Sequence, residues 1–189
     1  MSNYKEIWST PIAEYFVEPK IHNDFVEFLN TFPGTGPEGN KFNLLDGVDS
    51  EFTQWVMSCC ADYVSKFYNK PADLYIKRSW ITIQKYGQPN ETHSHGETDV
   101  VGVYYIDSNK DHPKLTVYDP RPPHIFNEVE VKNSSGIVIA DCARHISIEA
   151  LSGKLVFIPG YLLHGVDINL QQEPRSSLAL NIKIKRENE

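Results

Sequence analysis

The chain has 189 residues, of which 40% are apolar and 23% charged, and its formal net charge is -7. These values predict a single globular domain over residues 1–189, and the acidic balance argues against a nucleic-acid partner. No secretory leader opens the chain, and no apolar run approaches the length that a membrane span needs. Three cysteines without CxxC spacing indicate reduced thiols, so we expect a cytoplasmic protein without a membrane partner.

The first part of the chain, up to about residue 70, predicts a short strand followed by two helices. Residues 4–18 alternate loosely around a proline, which an edge strand tolerates and a central strand does not. Residues 21–32 place apolar side chains at helical spacing before a Pro-Gly stop. Residues 50–68 predict a second amphipathic helix with Ser50 as its N-cap. We therefore expect a helical N-terminal part.

The second part, about residues 72–186, predicts a series of short strands. Residues 74–86 alternate apolar and polar side chains, and residues 100–106 are nearly all β-branched or aromatic, as in a central strand. Five further segments continue the series: 115–118, 137–140, 145–148, 155–158 and 177–184. Helices followed by antiparallel strands predict a mainly β fold, a sandwich or jelly roll with two N-terminal helices packed on one outer face.

The sharpest local pattern lies between two of these strands, in the stretch GQPNETHSHGETD. His93, His95, Glu97 and Asp99 alternate there, so that neighbouring pairs point to the same side of an extended chain. His164 follows a later Pro-Gly turn, where a side chain can face a cavity. Together they predict a metal site, and two histidines with one carboxylate are typical of non-heme Fe(II) oxygenases. An H-x-E and an H-x-H ligand set both remain open.

Two polar residues lie where the last strand begins. Arg175 offers a guanidinium, which binds a carboxylate through two parallel hydrogen bonds, and Ser177 follows on the same side of the strand. The alternative for Arg175 is a surface ion pair, and the alternative for the histidine stretch is an exposed polar loop. Because the histidine stretch and Arg175 occupy positions that fit one common site, we favour a functional interpretation of both.

The order of these motifs resembles the Fe(II)/2-oxoglutarate-dependent oxygenases, and within them a bacterial and bacteriophage group with a prolyl-hydroxylase-like fold. That resemblance implies a double-stranded β-helix, a cupin-like form of jelly roll. It covers the chain from about Trp80 to its end. The motifs that carry it are SWITIQKYG, HSH, GVYYI, YDPR, GKLVFIPGYLLHGV and RSSLALNI. In that group no carboxylate is fixed at the position of Glu97, which strengthens His93 and His95 as ligands.

The resemblance implies Fe(II) on His93, His95 and His164, with Glu97 as a further candidate ligand. It implies that Arg175 and Ser177 hold the far carboxylate of 2-oxoglutarate, and that the enzyme is a hydroxylase that uses O2 and releases succinate and CO2. Its substrate would be a small molecule or a peptidyl residue. The protein would act in a cytoplasm, which is that of the host if the protein comes from a phage. A homodimer is compatible with the sequence.

Two further assignments stay open at this stage. Tyr104 and Tyr105 face opposite sides of their strand; Tyr104 is the candidate for contact with 2-oxoglutarate, although the sequence does not decide between the two. Asp119, Arg121 and His124 lie either near the cavity mouth or in a proline-rich connecting loop.

Two rival interpretations differ in what they need. A cupin-type isomerase or a dioxygenase without a cosubstrate would use the histidines and Asp99 but would not need Arg175. A non-catalytic jelly-roll binding module would need no metal at all, so metal content would separate it from both enzymes.

Overall fold

A computed structural model describes residues 10–31, 44–45, 48, 50–68, 71–120, 131–132, 138–140 and 145–185. The helices are α1 Pro19–Thr31 and α2 Glu51–Ser65. The strands are β1 Ala13–Phe16, β2 Leu74–Gln84, β3 Asn90–His93, β4 Val100–Asp107, β5 Leu115–Tyr118, β6 Val131–Lys132, β7 Val138–Ala140, β8 His145–Ile148, β9 Lys154–Pro159, β10 His164–Val166 and β11 Arg175–Ile184. None of the described helices is long and apolar enough to span a membrane.

Two antiparallel sheets face each other. The larger has the strand order β1-β9-β4-β11-β2, and the smaller has the order β3-β10-β5-β8. A separate pair joins β6 to β7. Neighbours in these sheets are far apart in sequence, since β11 lies between β2 and β4 while β10 lies between β3 and β5. This is the strand order of a double-stranded β-helix, and the predicted fold class is confirmed below by its structural neighbours.

Two apolar cores lie on the two sides of the larger sheet. The outer core joins that sheet to α1 and α2, and the inner core fills the space between the sheets. Period-two alternation along β4 divides its side chains, so that Tyr104 enters the outer core and Tyr105 the inner one. The helices therefore pack on one outer face, as the sequence predicts, and leave the inner face for the site.

The local signals explain the helices well. Pro19 opens α1, where its fixed φ suits the first helical position. Ser50 caps α2 by accepting a hydrogen bond from the Thr53 amide at 3.1 Å, an interaction worth about 1 kcal/mol. Cys59 and Cys60 lie on the buried face of α2, and burial raises the pKa of their thiols to about 11 and about 12.

The polar strands β3 and β10 are absent from the sequence prediction. β3 is polar throughout, and β10 consists of only three residues, so neither shows an alternation of apolar and polar residues. They lie side by side in the smaller sheet, and the candidate site is built on this pair.

Candidate metal centre

The pairing of β3 with β10 brings two histidines together. His93 lies directly opposite His164 in the antiparallel register, and their ring centroids are 4.6 Å apart. His95 follows just after β3, with its ring 5.0 Å from that of His93 and 5.1 Å from that of His164. The candidate ligand atoms of the three imidazoles all lie within 4.8 Å of one another. A single cation could therefore contact all three.

Hydrogen bonds determine which nitrogen each ring offers. Nδ1 of His93 lies 2.7 Å from the carbonyl oxygen of Glu91, and Nδ1 of His164 lies 2.9 Å from that of Leu162. A carbonyl only accepts, so Nδ1 donates in both rings, and Nε2 keeps its lone pair when the rings are neutral. Nδ1 of His95 donates in the same way to the side-chain oxygen of Asn181 at 2.5 Å. All three rings thus offer Nε2 to a metal.

Burial keeps these rings in the state that binds a metal. It lowers the pKa of His164 to about 4, and the neighbouring His93 and His95 act in the same direction against the hydrogen bond to Leu162. Burial also lowers the pKa of His95, although its hydrogen bond with Asn181 opposes that effect. Both imidazoles are therefore neutral at pH 7, and only a neutral imidazole coordinates a cation.

A glycine sets the position of the loop that carries His95. The His95 amide donates to the Gly160 carbonyl at 2.9 Å, and the Gly160 amide donates to the Asp99 carbonyl at 3.1 Å. A Cβ atom at Gly160 would overlap the Thr98 carbonyl group, so only glycine fits this contact. Trp80 stacks against the His95 ring, with centroids 5.9 Å apart and planes 15° apart. Backbone and indole together hold the imidazole.

The two carboxylates of the histidine stretch lie outside this group. Glu97 forms an ion pair with Lys77 at 3.1 Å, and its side chain is 91% exposed. Lys77 lowers the pKa of this carboxyl, and the nearby Arg78 and Lys183 act in the same direction. Asp99 accepts a hydrogen bond from the Ile184 amide and faces Lys183 at 3.5 Å. Of the two ligand sets left open by the sequence, the described residues favour the H-x-H set, because they bring together three imidazoles and no carboxylate.

Arg175 is a charged residue buried on the inner face. It is 1% exposed, and its guanidinium carbon lies 5.0 Å from the centroid of the Tyr105 ring. Its Nε and Nη2 atoms have no hydrogen-bond partner among the residues that the structure describes. Burial lowers its pKa, against the effect of Tyr105. A buried cation without an anion is costly, so this geometry suits a ligand that brings a carboxylate.

The register around Arg175 decides between the two tyrosines. Ser177 is buried and lies opposite Tyr105, so Arg175, Ser177 and Tyr105 share one face of the sheet. Tyr104 points the other way, and its hydroxyl is hydrogen-bonded to Nδ1 of His22 at 2.6 Å. Tyr104, the candidate for contact with 2-oxoglutarate, therefore lies on the other face of the sheet from Arg175, and strand alternation places Tyr105 beside the guanidinium.

Sequence reasoning missed two residues of the site, Asn181 and Gly160. Asn181 lies six positions after Arg175 and is therefore on the same face of β11, a signal that was available in the alternation. Gly160 gave no such signal, because its role depends on a contact with a distant loop. Of the other candidates, Asp119 follows β5 directly, while Arg121 and His124 lie outside the described residues.

The residues present fit a non-heme iron centre with an anionic cosubstrate. Three imidazole nitrogens suit a first-row metal, and a buried guanidinium with free donors suits a carboxylate. The two-sheet fold and this donor set together define a metal-dependent double-stranded β-helix protein.

A family model described as "Putative 2OG-Fe(II) oxygenase" matches residues 78–181, which is more than half of the chain. The chain therefore belongs to this family of 2OG-Fe(II) oxygenases. The matched segment includes the three histidines and Arg175. The family uses Fe(II) and 2-oxoglutarate, as the sequence predicts, and membership indicates an oxidoreductase. No curated protein sequence matches the chain.

Solved structures share the fold of this chain. EctD from S. alaskensis superposes with a TM-score of 0.64 at 14% identity, covering 93% of this chain and 73% of that one. A truncated viral collagen prolyl hydroxylase from Paramecium Bursaria Chlorella virus-1 has a TM-score of 0.63 at 9% identity, with 98% and 99% covered. A Pseudomonas putida prolyl-4-hydroxylase has a TM-score of 0.59 at 12% identity, with 94% and 90% covered. At such identities the likeness concerns the fold alone.

Proposed function

We propose that this protein is a hydroxylase in which His93, His95 and His164 bind Fe(II) through Nε2. Arg175 and Ser177 bind the far carboxylate of 2-oxoglutarate, and the ring of Tyr105 lies against the guanidinium. When bound, Fe(II) and 2-oxoglutarate supply an O2-dependent oxidation that releases succinate and CO2. The substrate is a small molecule or a peptidyl residue.

The protein's own residues contribute position and exclusion of water. Backbone carbonyls and Asn181 hold the three imidazole rings in one tautomer, so that they need not reorganise when the metal binds. The inner core around Tyr105 is apolar, which strengthens the pairing of Arg175 with a carboxylate. Because three neutral imidazoles leave the charge of a divalent cation uncompensated, they also favour binding of an anionic cosubstrate.

The observation that supports the proposal most is the buried Arg175 guanidinium, whose Nε and Nη2 have no hydrogen-bond partner among the described residues. A fold that buries this side chain with two free donors loses free energy unless a ligand supplies acceptors. A cupin without a cosubstrate has no use for such a group. The viral prolyl hydroxylase, one of the structural neighbours, is described in complex with 2OG, which is the cosubstrate proposed here.

The test is an anaerobic titration with Fe(II) and then 2-oxoglutarate, followed through the weak visible charge-transfer band of the chelate. We expect the band in the parent protein and its loss in Arg175→Ala, while Fe(II) still binds. Lys66→Ala, which removes an exposed ion pair on α2, is the matched control and should behave as the parent. Bound Fe(II) without a band in the parent would reject the oxygenase and favour a cupin. An absence of metal binding would favour a non-catalytic module.

A further inference from the structure

A cavity of about 290 Å³ opens beside the candidate metal centre. His93 and His95 form part of its wall, and Trp80, Asn181, Lys77 and Arg78 line the rest together with the 94–98 loop. This volume is at the lower end of the range for small-molecule sites, so the cavity suits a molecule of amino-acid size.

A β-bulge turns two consecutive basic residues toward this cavity. In the pairing of β11 with β2, Asn181 lies opposite Arg78 and Ile182 lies opposite Ile76, so Lys77 has no partner. In a regular strand, Lys77 and Arg78 would point to opposite faces of the sheet. The extra residue changes the direction of the strand locally, and both residues line the same cavity.

Two cations at the cavity, Lys77 and Arg78, share one carboxylate, that of Glu97. Lys77 is paired with Glu97, but Glu97 is almost fully exposed, and such surface pairs contribute about 0–1 kcal/mol. The exposed Arg78 guanidinium helps to lower the pKa of the Glu97 carboxyl but forms no ion pair within 4.0 Å and no hydrogen bond with any residue in the described part of the chain. An incoming anion would therefore find the Arg78 donors available and would displace Glu97 from Lys77 at little cost.

We propose that this cavity binds an anionic group of the molecule to be oxidised, a carboxylate or a phosphate, through Lys77 and Arg78. Trp80 supplies an apolar wall, along which the rest of the molecule extends toward the metal centre. Glu97 is a resident counter-ion that the substrate replaces. The inference rests on the proposed function for its reaction, but the anion site itself requires neither iron nor cosubstrate.

The experiment measures binding of three small probes by calorimetry: phenylacetate, phenyl phosphate and the neutral phenylacetamide. It uses the Arg175→Ala protein without metal, so that the proposed cosubstrate site cannot bind the anions, and then the parent protein with Fe(II) and 2-oxoglutarate. We expect both anions to bind more tightly than the amide, by about tenfold or more. The tighter of the two anions identifies the substrate as a carboxylate or a phosphate compound.

Three variants separate this proposal from a general attraction of anions. Arg78→Ala and Lys77→Ala should each weaken anion binding by about tenfold, because each removes a charge-assisted hydrogen bond. Glu97→Gln should strengthen it, since the competing carboxylate is gone, and should leave Fe(II) binding unchanged. Lys85→Ala, an exposed lysine just beyond the end of β2, is the matched control and should have no effect.

The outcomes are distinct. Equal binding of anions and amide, or anion binding unaffected by Arg78→Ala, would overturn the anion site. Anion binding that responds to Arg78→Ala in a protein without a charge-transfer band would keep the site and reject the oxygenase. A charge-transfer band in a protein whose anion binding does not respond to Arg78→Ala would keep the oxygenase and reject the anion site.

Discussion

The two sides of the larger sheet differ in the hydrogen bonding of the polar groups named below. On the helix side, the hydroxyl of Tyr104 is bonded to His22, that of Tyr63 to the Pro11 carbonyl and that of Tyr15 to Asp62. On the inner side, the Tyr105 hydroxyl, the Gln84 side-chain oxygen and two Arg175 nitrogens have no partner among the described residues. Buried polar groups are normally paired.

This difference separates stability from function within one strand. Tyr104 and Tyr105 are neighbours in β4 and are equally buried, yet among the described residues only the first has a hydrogen-bond partner for its hydroxyl. The tyrosine hydroxyls of the helix side are paired within the folded protein. The inner side keeps unsatisfied donors and acceptors, at a cost in stability, where a ligand can complete them. Substitutions on the two sides should therefore affect different measurements.

The largest effect on stability is expected from Phe52→Ala on the helix side. Phe52 is 3% exposed, stacks on Phe25 with centroids 3.7 Å apart, and meets the Tyr104 ring at 4.8 Å. Removing a buried phenyl ring costs about 3–5 kcal/mol of unfolding free energy, which chemical denaturation can measure. The folded fraction should still bind Fe(II) like the parent. A change in Fe(II) affinity without a loss of stability would contradict the division between the two sides.

The second-largest effect, a loss of Fe(II) affinity, is expected from Gly160→Ala beside the candidate metal centre. An added Cβ would overlap the Thr98 carbonyl and displace the loop that holds His95. We expect Fe(II) affinity to fall by about 10- to 100-fold, as for other changes that disturb ligand orientation. Gly96→Ala is the matched control in the same loop, because a Cβ there would meet nothing within 4 Å. Equal Fe(II) affinities in the two variants would show that Gly160 does not position His95.

Much of the fold was predictable because core strands carry a pattern. β2, β4, β9 and β11 are long or strongly apolar, and the sequence places each of them within a few residues. β3 and β10 escaped prediction because β3 is polar throughout and β10 has only three residues, so neither shows an apolar-polar alternation. The metal centre was predictable as a cluster of histidines. Among the described residues no carboxylate joins this cluster, because the Glu97 side chain points into solvent and is 91% exposed, a direction that no local pattern encodes.

The third effect is expected from Arg175→Met, which removes the buried guanidinium and keeps the volume. Loss of an unpartnered buried cation should leave the unfolding free energy unchanged or raise it by about 1–3 kcal/mol. In the presence of Fe(II), 2-oxoglutarate should raise the melting temperature of the parent further, but it should not raise that of the variant, which still binds Fe(II). Thermal denaturation with Fe(II) alone and with Fe(II) plus 2-oxoglutarate measures this. A clear loss of stability in the unliganded variant would show that the guanidinium has a structural partner.

The smallest effect, and the most direct comparison of the two sides, comes from removing one hydroxyl at a time from β4. Tyr104→Phe breaks the 2.6 Å hydrogen bond to His22, so we expect a loss of about 1 kcal/mol in unfolding free energy. Tyr105→Phe removes a buried hydroxyl that has no described partner, so stability should stay the same or rise slightly. Cosubstrate binding should respond the other way: Tyr105→Phe should alter the charge-transfer band, because the hydroxyl lies beside the group proposed to hold 2-oxoglutarate, and Tyr104→Phe should not. If both variants lost the same stability and left the band unchanged, the inner face would be an ordinary core, and the unpartnered groups around Arg175 would lose their functional meaning.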